Sequence, residues 1–121
     1  MSTTVYGLKN CDTCKKATRW LDRFAVPYTF VDYRDNTPSP DTLLAWAGQL
    51  GGLAAMINRS STTWRQLPEH RKAAASDAEW GLLLREYPQL IKRPLVVTAD
   101  GRVSQGFTDN GFKARFGVGS A

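Results

Sequence analysis

The chain has 121 residues and a formal net charge of +5, from 16 Lys and Arg against 11 Asp and Glu. With 42% apolar and 22% charged residues it has the composition of a globular protein, which excludes a collagen-like repeat, a coiled coil or an extended disordered tail. A chain of this length buries roughly two-thirds of its unfolded surface and sustains a core without disulfide staples.

The first predicted strand is Thr4–Gly7, followed by a loop Leu8-Lys9-Asn10 and a helix that begins at Cys11. Ala17, Trp20, Leu21 and Phe24 fall at helical spacing and form its apolar stripe, with Lys15, Lys16, Arg19, Asp22 and Arg23 on the wet faces. Pro27 predicts the end of this helix near Ala25. Residues 28–33 are aromatic and β-branched and predict a second strand. Ser39 as cap and Pro40 at the first position predict a helix over 41–50, stopped by Gly51-Gly52, with one more helical turn over 53–57. Residues 58–63 are polar and aperiodic, hence a loop, and 64–67 and 68–75 predict short helical pieces. A capping-box pattern at Ser76-Asp77-Ala78-Glu79 opens a helix carrying Trp80, Leu83, Leu84 and Tyr87, closed by Pro88. Leu95–Thr98 and Arg102–Phe107 then form a hairpin around Asp100-Gly101, and Asp109 or Asn110 caps a last helix bearing Phe112 and Phe116. The small-residue segment after Phe116 is expected to be a tail.

This order predicts an α/β fold: a mixed four-stranded sheet with flanking helices. Residues 39–87 form a helical insertion between the second and third strands of a single domain. No window approaches the ~20 apolar residues of a membrane span. The segment Met1–Thr4 lacks the features of a secretory signal, so a cytoplasmic location, away from any membrane, is expected. The basic residues are dispersed, in runs no longer than two, which argues against direct nucleic-acid binding.

The two cysteines, Cys11 and Cys14, are spaced as Cys-x-x-Cys and staple nothing of consequence. The spacing leaves redox chemistry, metal binding or coincidence. With His70 as the one histidine, the soft ligands number three where a closed zinc site takes four, so no metal is expected in a single chain. A free thiol titrates near ~8.5 and is mostly protonated at neutral pH. Cys11 stands where strand gives way to helix, facing unpaired N–H groups and the positive end of the helix dipole. Lys9, Lys15 and Lys16 add positive charge, partly offset by Asp12. Cys11 is therefore the candidate nucleophile. Cys14 follows about 300° around the helix, on the same side, and is either a resolving thiol or a small buried hydrophobe. His70, in a charged segment, is expected at the surface rather than paired with a cysteine.

Pro94 precedes a strand at the point where thioredoxin-type folds place a cis-proline against the active cysteine, which would carry Arg93 to the same site. Asn58 and Arg59, together with Lys9 and Asn10 in the loop before Cys11, complete the candidate substrate-binding residues. Arg65 is a weaker candidate for an anionic substrate.

The runs Tyr6-Gly7-Leu8-Lys9-Asn10-Cys11-Asp12-Thr13-Cys14-Lys15-Lys16-Ala17, Thr62-Thr63-Trp64-Arg65-Gln66-Leu67 and Ile91-Lys92-Arg93-Pro94-Leu95 resemble the ArsC/Spx family, most closely its YffB-like branch. The resemblance implies a thioredoxin-like fold and Cys11 as catalytic cysteine. In the family's arsenate reductases that cysteine attacks arsenate, glutathione and glutaredoxin reduce the adduct, and three arginines hold the oxyanion. Here Arg93 supplies one. Ser60 occupies the place of the second, with Arg59 beside it, and the third falls near Gly106, where there is no arginine. Arginines hold oxyanions by charge-assisted, often bidentate contacts, so their loss weakens arsenate binding more than binding of a thiol.

The expected function is glutathione-dependent thiol-disulfide reduction with Cys11 as nucleophile, no bound cofactor, glutathione as co-substrate, glutaredoxin as a candidate partner, and a monomer. Two alternatives remain: arsenate reduction, and an Spx-like redox-sensing regulator that binds RNA polymerase. The second cysteine favours the regulator, whereas the Thr62-Thr63-Trp64-Arg65 run favours the YffB-like branch.

Overall fold

The computed structural model describes residues 3–117. Its strands are β1 (Thr3–Gly7), β2 (Tyr28–Asp32), β3 (Leu95–Val97) and β4 (Val103–Gln105). Its helices are α1 (Asp12–Arg23), α2 (Pro40–Leu50), α3 (Thr62–Arg65), α4 (Glu69–Lys72), α5 (Asp77–Glu86) and α6 (Asp109–Phe116). The sheet order is β2-β1-β3-β4. β1 runs parallel to β2, with Val5 opposite Phe30, and antiparallel to β3, with Val5 opposite Val96. β3 and β4 are the antiparallel hairpin. A βαβ start joined to a βα-terminated hairpin in one mixed sheet is the thioredoxin-like architecture. No helix among the described residues is long and apolar enough to cross a membrane.

The chain divides into two compact units. One takes the segments up to Asp32 and from Arg93 onward, and the other is Tyr33–Lys92. In the first, the predicted stripe of α1 enters the core: Ala17, Trp20 and Leu21 are buried with Val5, Val96 and Phe112. Trp20 meets Phe112 edge to face at 5.3 Å and donates its indole N–H to the Asp109 carboxylate at 2.7 Å, which fixes α6 against α1. The helix α1 is stopped before Pro27 takes effect. Ala25 adopts φ 55°, and the N–H groups of Ala25 and Val26 return to the carbonyls of Asp22 and Leu21 in a Schellman arrangement.

In the second unit, Leu43, Leu53, Met56, Leu83 and Leu84 are buried. Its two ends are joined: Ile57 bridges Ile91, Lys92 N–H donates to Met56 O at 2.9 Å, and the buried Tyr33 hydroxyl donates to Ile91 O at 3.1 Å. Ser39 caps α2 by accepting from Thr42 N–H at 3.2 Å, and Ser76 caps α5 by accepting from Glu79 N–H at 3.2 Å.

Three local readings are corrected. The polar run after Ile57 is a loop only as far as Ser61, whose hydroxyl accepts from Trp64 N–H at 3.1 Å and starts α3 at Thr62. Pro88 opens a short 3₁₀ turn, Pro88–Leu90, instead of simply closing α5. The cap of α6 is Thr108, which accepts from Gly111 N–H at 2.9 Å, because the Asp109 carboxylate is engaged by Trp20 and by Lys113 at 3.0 Å. The predicted C-terminal tail lies outside the described residues beyond Gly117.

Candidate active site

The site is assembled where β1 hands over to α1. The Leu8–Asn10 loop is shaped by the Cys11 N–H donating to Leu8 O at 3.3 Å and by the Lys9 N–H donating to the Asp32 carboxylate at 3.1 Å. Asp32 closes β2 and is 5% exposed, so this bond ties the loop to the neighbouring strand. Cys11 is the N-cap residue of α1, with extended backbone at φ −109° and ψ 122°, and its carbonyl accepts the first helical bond from Lys15 N–H at 2.9 Å. An N-cap side chain faces the unpaired N–H groups of the first turn.

Burial is the largest single influence on the partly buried Cys11 thiol and acts to raise its pKa. It is outweighed by the Cys14 backbone N–H, which approaches the sulfur without conventional capping geometry, by the Cys14 thiol, and by the Arg93 guanidinium. The net effect holds Cys11 below the ordinary thiol range. Cys14 goes the other way: burial, and then the Cys11 sulfur beside it, push its pKa up to about 12 against a pull from the Leu8 backbone. Cys11 is thus shifted toward the thiolate, while Cys14 is held protonated with its thiol hydrogen-bonded to the Cys11 sulfur.

Close packing against β1 holds Cys14 in place. Gly7 has no side chain, and a Cβ there would stand 2.5 Å from the Cys14 sulfur, so glycine is needed for the helix to sit this near the strand. Pro94 is buried, and the Arg93–Pro94 peptide is cis. The Pro94 carbonyl accepts from Gly106 N–H at 2.9 Å. Gly106 has φ +84°, a conformation that L side chains rarely adopt, which accounts for a glycine at this turn.

The structure therefore brings Cys11, Cys14, Arg93 and Pro94 together within one unit. Lys9 and Asn10 are exposed in the adjoining loop. Of the cations expected to converge on Cys11, Arg93 acts on its sulfur both by a hydrogen bond and by charge. Asn58 and Arg59 belong to the helical unit. Asn58 accepts from Ser60 N–H at 3.0 Å in an Asx-type turn, while Arg59 donates to Ala54 O at 3.0 Å and lies over the Trp64 ring at 5.2 Å. Trp64 stacks in turn on Trp80, with ring centroids 6.3 Å apart. Arg65 and His70 are exposed in the same unit. Asp32 was not singled out from the sequence; an acidic residue ending an aromatic strand was its one visible sign.

These features have counterparts in known proteins. A protein of Haemophilus influenzae named only as uncharacterized is 38% identical over 113 residues, covering 93% of this chain and 97% of its own. A global transcriptional regulator Spx of Streptococcus pneumoniae is 29% identical over 115 residues, covering 92% and 83%. Among solved structures, a YffB protein superposes with a TM-score of 0.83 at 36% identity, covering 93% of this chain and 97% of that one. An arsenate reductase (ArsC) related protein from Brucella melitensis gives 0.75 at 36%, covering 96% and 95%. The ArsC family model matches residues 6–114, a span that runs from β1 through Cys11, Cys14 and the Arg93–Pro94 peptide into α6. On that match, and on relatives aligned over almost their whole length, the chain belongs to the ArsC family.

Proposed function

We propose that the protein is a glutathione-dependent thiol-disulfide reductase with Cys11 as its nucleophile. The observation that carries this reading is the opposed ionisation of the two cysteines one helical turn apart, with Cys11 held low by Cys14 and Arg93 and Cys14 pushed up to about 12. The Cys11 thiolate attacks one sulfur of a substrate disulfide, forms a mixed disulfide and expels the other sulfur as thiolate. Either a glutathione thiolate or Cys14, after losing its proton, attacks the mixed disulfide and releases the second substrate thiol. In this reading Arg93 steadies the Cys11 thiolate and receives a carboxylate of the substrate, Pro94 walls the pocket, and Lys9 and Asn10 contribute to substrate binding. The reductase acts in the cytoplasm as a monomer, without a resident cofactor, and glutaredoxin is a candidate partner. The experiment is glutathione-supported reduction of a small mixed disulfide. Wild type turns over and Cys11→Ser falls to background; a Cys11→Ser variant that keeps the activity would refute the reading. Arsenate in place of the disulfide is predicted to be a poor substrate, because Arg93 is the one family arginine at its expected place.

A second reading is favoured by one feature, the Cys14 thiol beside Cys11, which suits a redox-sensing regulator that binds RNA polymerase. Retention of polymerase by the oxidised but not the reduced protein, with no disulfide turnover, would put this reading first.

A further inference from the structure

A cavity of about 230 Å³ opens beside Cys14, lined by Leu8, Lys9, Cys14, Lys15, Thr18, Tyr28 and Phe30. It is smaller than the roughly 300–1,000 Å³ of sites that enclose a drug-sized ligand, so it suits one end of a small molecule. The aromatic rings of Tyr28 and Phe30 are partly buried, and the side chains of Lys9 and Lys15 are exposed at its rim. The Thr18 hydroxyl is turned back onto its own helix, sharing its proton between the carbonyls of Cys14 at 3.2 Å and Lys15 at 3.1 Å. The Lys9 backbone N–H donates to the buried Asp32 carboxylate, which fixes the loop at the cavity's edge. Neither Cys11 nor Arg93 borders this cavity, so it approaches the cysteine pair from the Cys14 side.

That placement matters because displacement at a disulfide sulfur is in line: the attacking sulfur must come from the side opposite the sulfur that leaves. We propose that this cavity is the entry for the reducing thiol, where a small carboxylate-bearing thiol, drawn by Lys9 and Lys15, attacks the Cys14 sulfur of an oxidised Cys11–Cys14 pair. The proposal rests on the thiol-disulfide reading above. The substrate disulfide is the oxidant that creates the Cys11–Cys14 bond, releasing two substrate thiols. The incoming thiolate then forms a bond to the Cys14 sulfur, and the electron pair of the broken bond leaves on Cys11. A second molecule of the thiol attacks the first one's sulfur, which yields the small-molecule disulfide and returns Cys14 as thiol with a proton from solvent. Two thiols are oxidised for each Cys11–Cys14 bond reduced. Departure of Cys11 rather than Cys14 agrees with their ionisation, since the thiolate of lower pKa is the better leaving group.

The test uses the intact protein oxidised with diamide, mixed with glutathione, quenched in acid and read by fragmentation mass spectrometry. The adduct is expected on Cys14. Reduction by glutathione is expected to slow about five- to tenfold in a Lys9→Glu/Lys15→Glu variant, while reduction by uncharged 2-mercaptoethanol changes less than about twofold, since only the anionic thiol is steered by the lysines. An adduct on Cys11, or equal slowing with both thiols, overturns the entry site and leaves the thiol-reductase reading standing. Failure of diamide to form the Cys11–Cys14 bond also overturns it. Loss of the thiol-reductase reading itself would show separately, as Cys11→Ser retaining disulfide turnover.

Discussion

The two units differ in what their charge does. The segments up to Asp32 and from Arg93 onward carry nine basic and five acidic residues, whereas Tyr33–Lys92 carries seven and six. Most of the net charge therefore belongs to the thioredoxin-like unit, where Arg93 acts on a thiolate. In the helical unit cations serve packing: Arg59 covers Trp64, and Arg71 pairs with Glu86 at 3.2 Å. A guanidinium over an aromatic ring is worth roughly 0.5–1 kcal/mol at an exposed site, whereas the same group beside a thiol lowers that thiol's pKa. A basic composition alone does not distinguish these uses; position in the fold does.

The comparison is most severely tested at Trp20. Its ring is 6% exposed, contacts Phe112 and Phe116, and donates to Asp109. Trp20→Ala is expected to cost about 3–5 kcal/mol by denaturant unfolding, the largest loss of any substitution considered, because it removes both the core of the reactive unit and the tether of α6. Gly7→Ala comes next, at about 1–3 kcal/mol, since its Cβ forces the Cys14 sulfur and β1 apart. The same variant should change the reactivity of the cysteine pair, which a loss confined to general stability would not do. In the helical unit Ser61→Ala removes the cap of α3 and is expected to cost about 1 kcal/mol. Because every influence identified on Cys11 comes from the other unit, this change should leave the Cys11 titration where it is; a moved titration would break the comparison. The smallest effect has the opposite sign. Ala25 sits at φ 55°, and Ala25→Gly should stabilise the protein by up to about 1 kcal/mol, measured as a higher denaturation midpoint.

Much of the fold was legible where local chemistry coincides with the final structure. The α1 stripe, the Ser39 and Ser76 caps and the Asp100-Gly101 hairpin each follow from residues a few positions apart, and each is present. The readings that failed depend on distant partners. At α6, three adjacent residues could serve as cap, and Asp109 was withdrawn from that role by Trp20, 89 positions earlier in the chain. At the site, the place of Cys11 at a helix start was legible, and so was the arrival of Arg93 beside it through the proline that precedes β3. Asp32 escaped notice because its bond to the Lys9 N–H exists only once β2 lies beside β1.

The central claim is that Cys14 and Arg93 hold Cys11 as a thiolate. Its direct measurement is the rate of Cys11 alkylation against pH, in wild type and in Arg93→Ala. Because the folded pKa is depressed, the thiolate should persist below the ordinary thiol value of ~8.5 and be lost only as pH falls through the lowered one. The account predicts a wild-type midpoint below the ordinary thiol value that moves up when Arg93 is removed. A midpoint at or above the ordinary thiol value, or one that Arg93→Ala leaves in place, would contradict it.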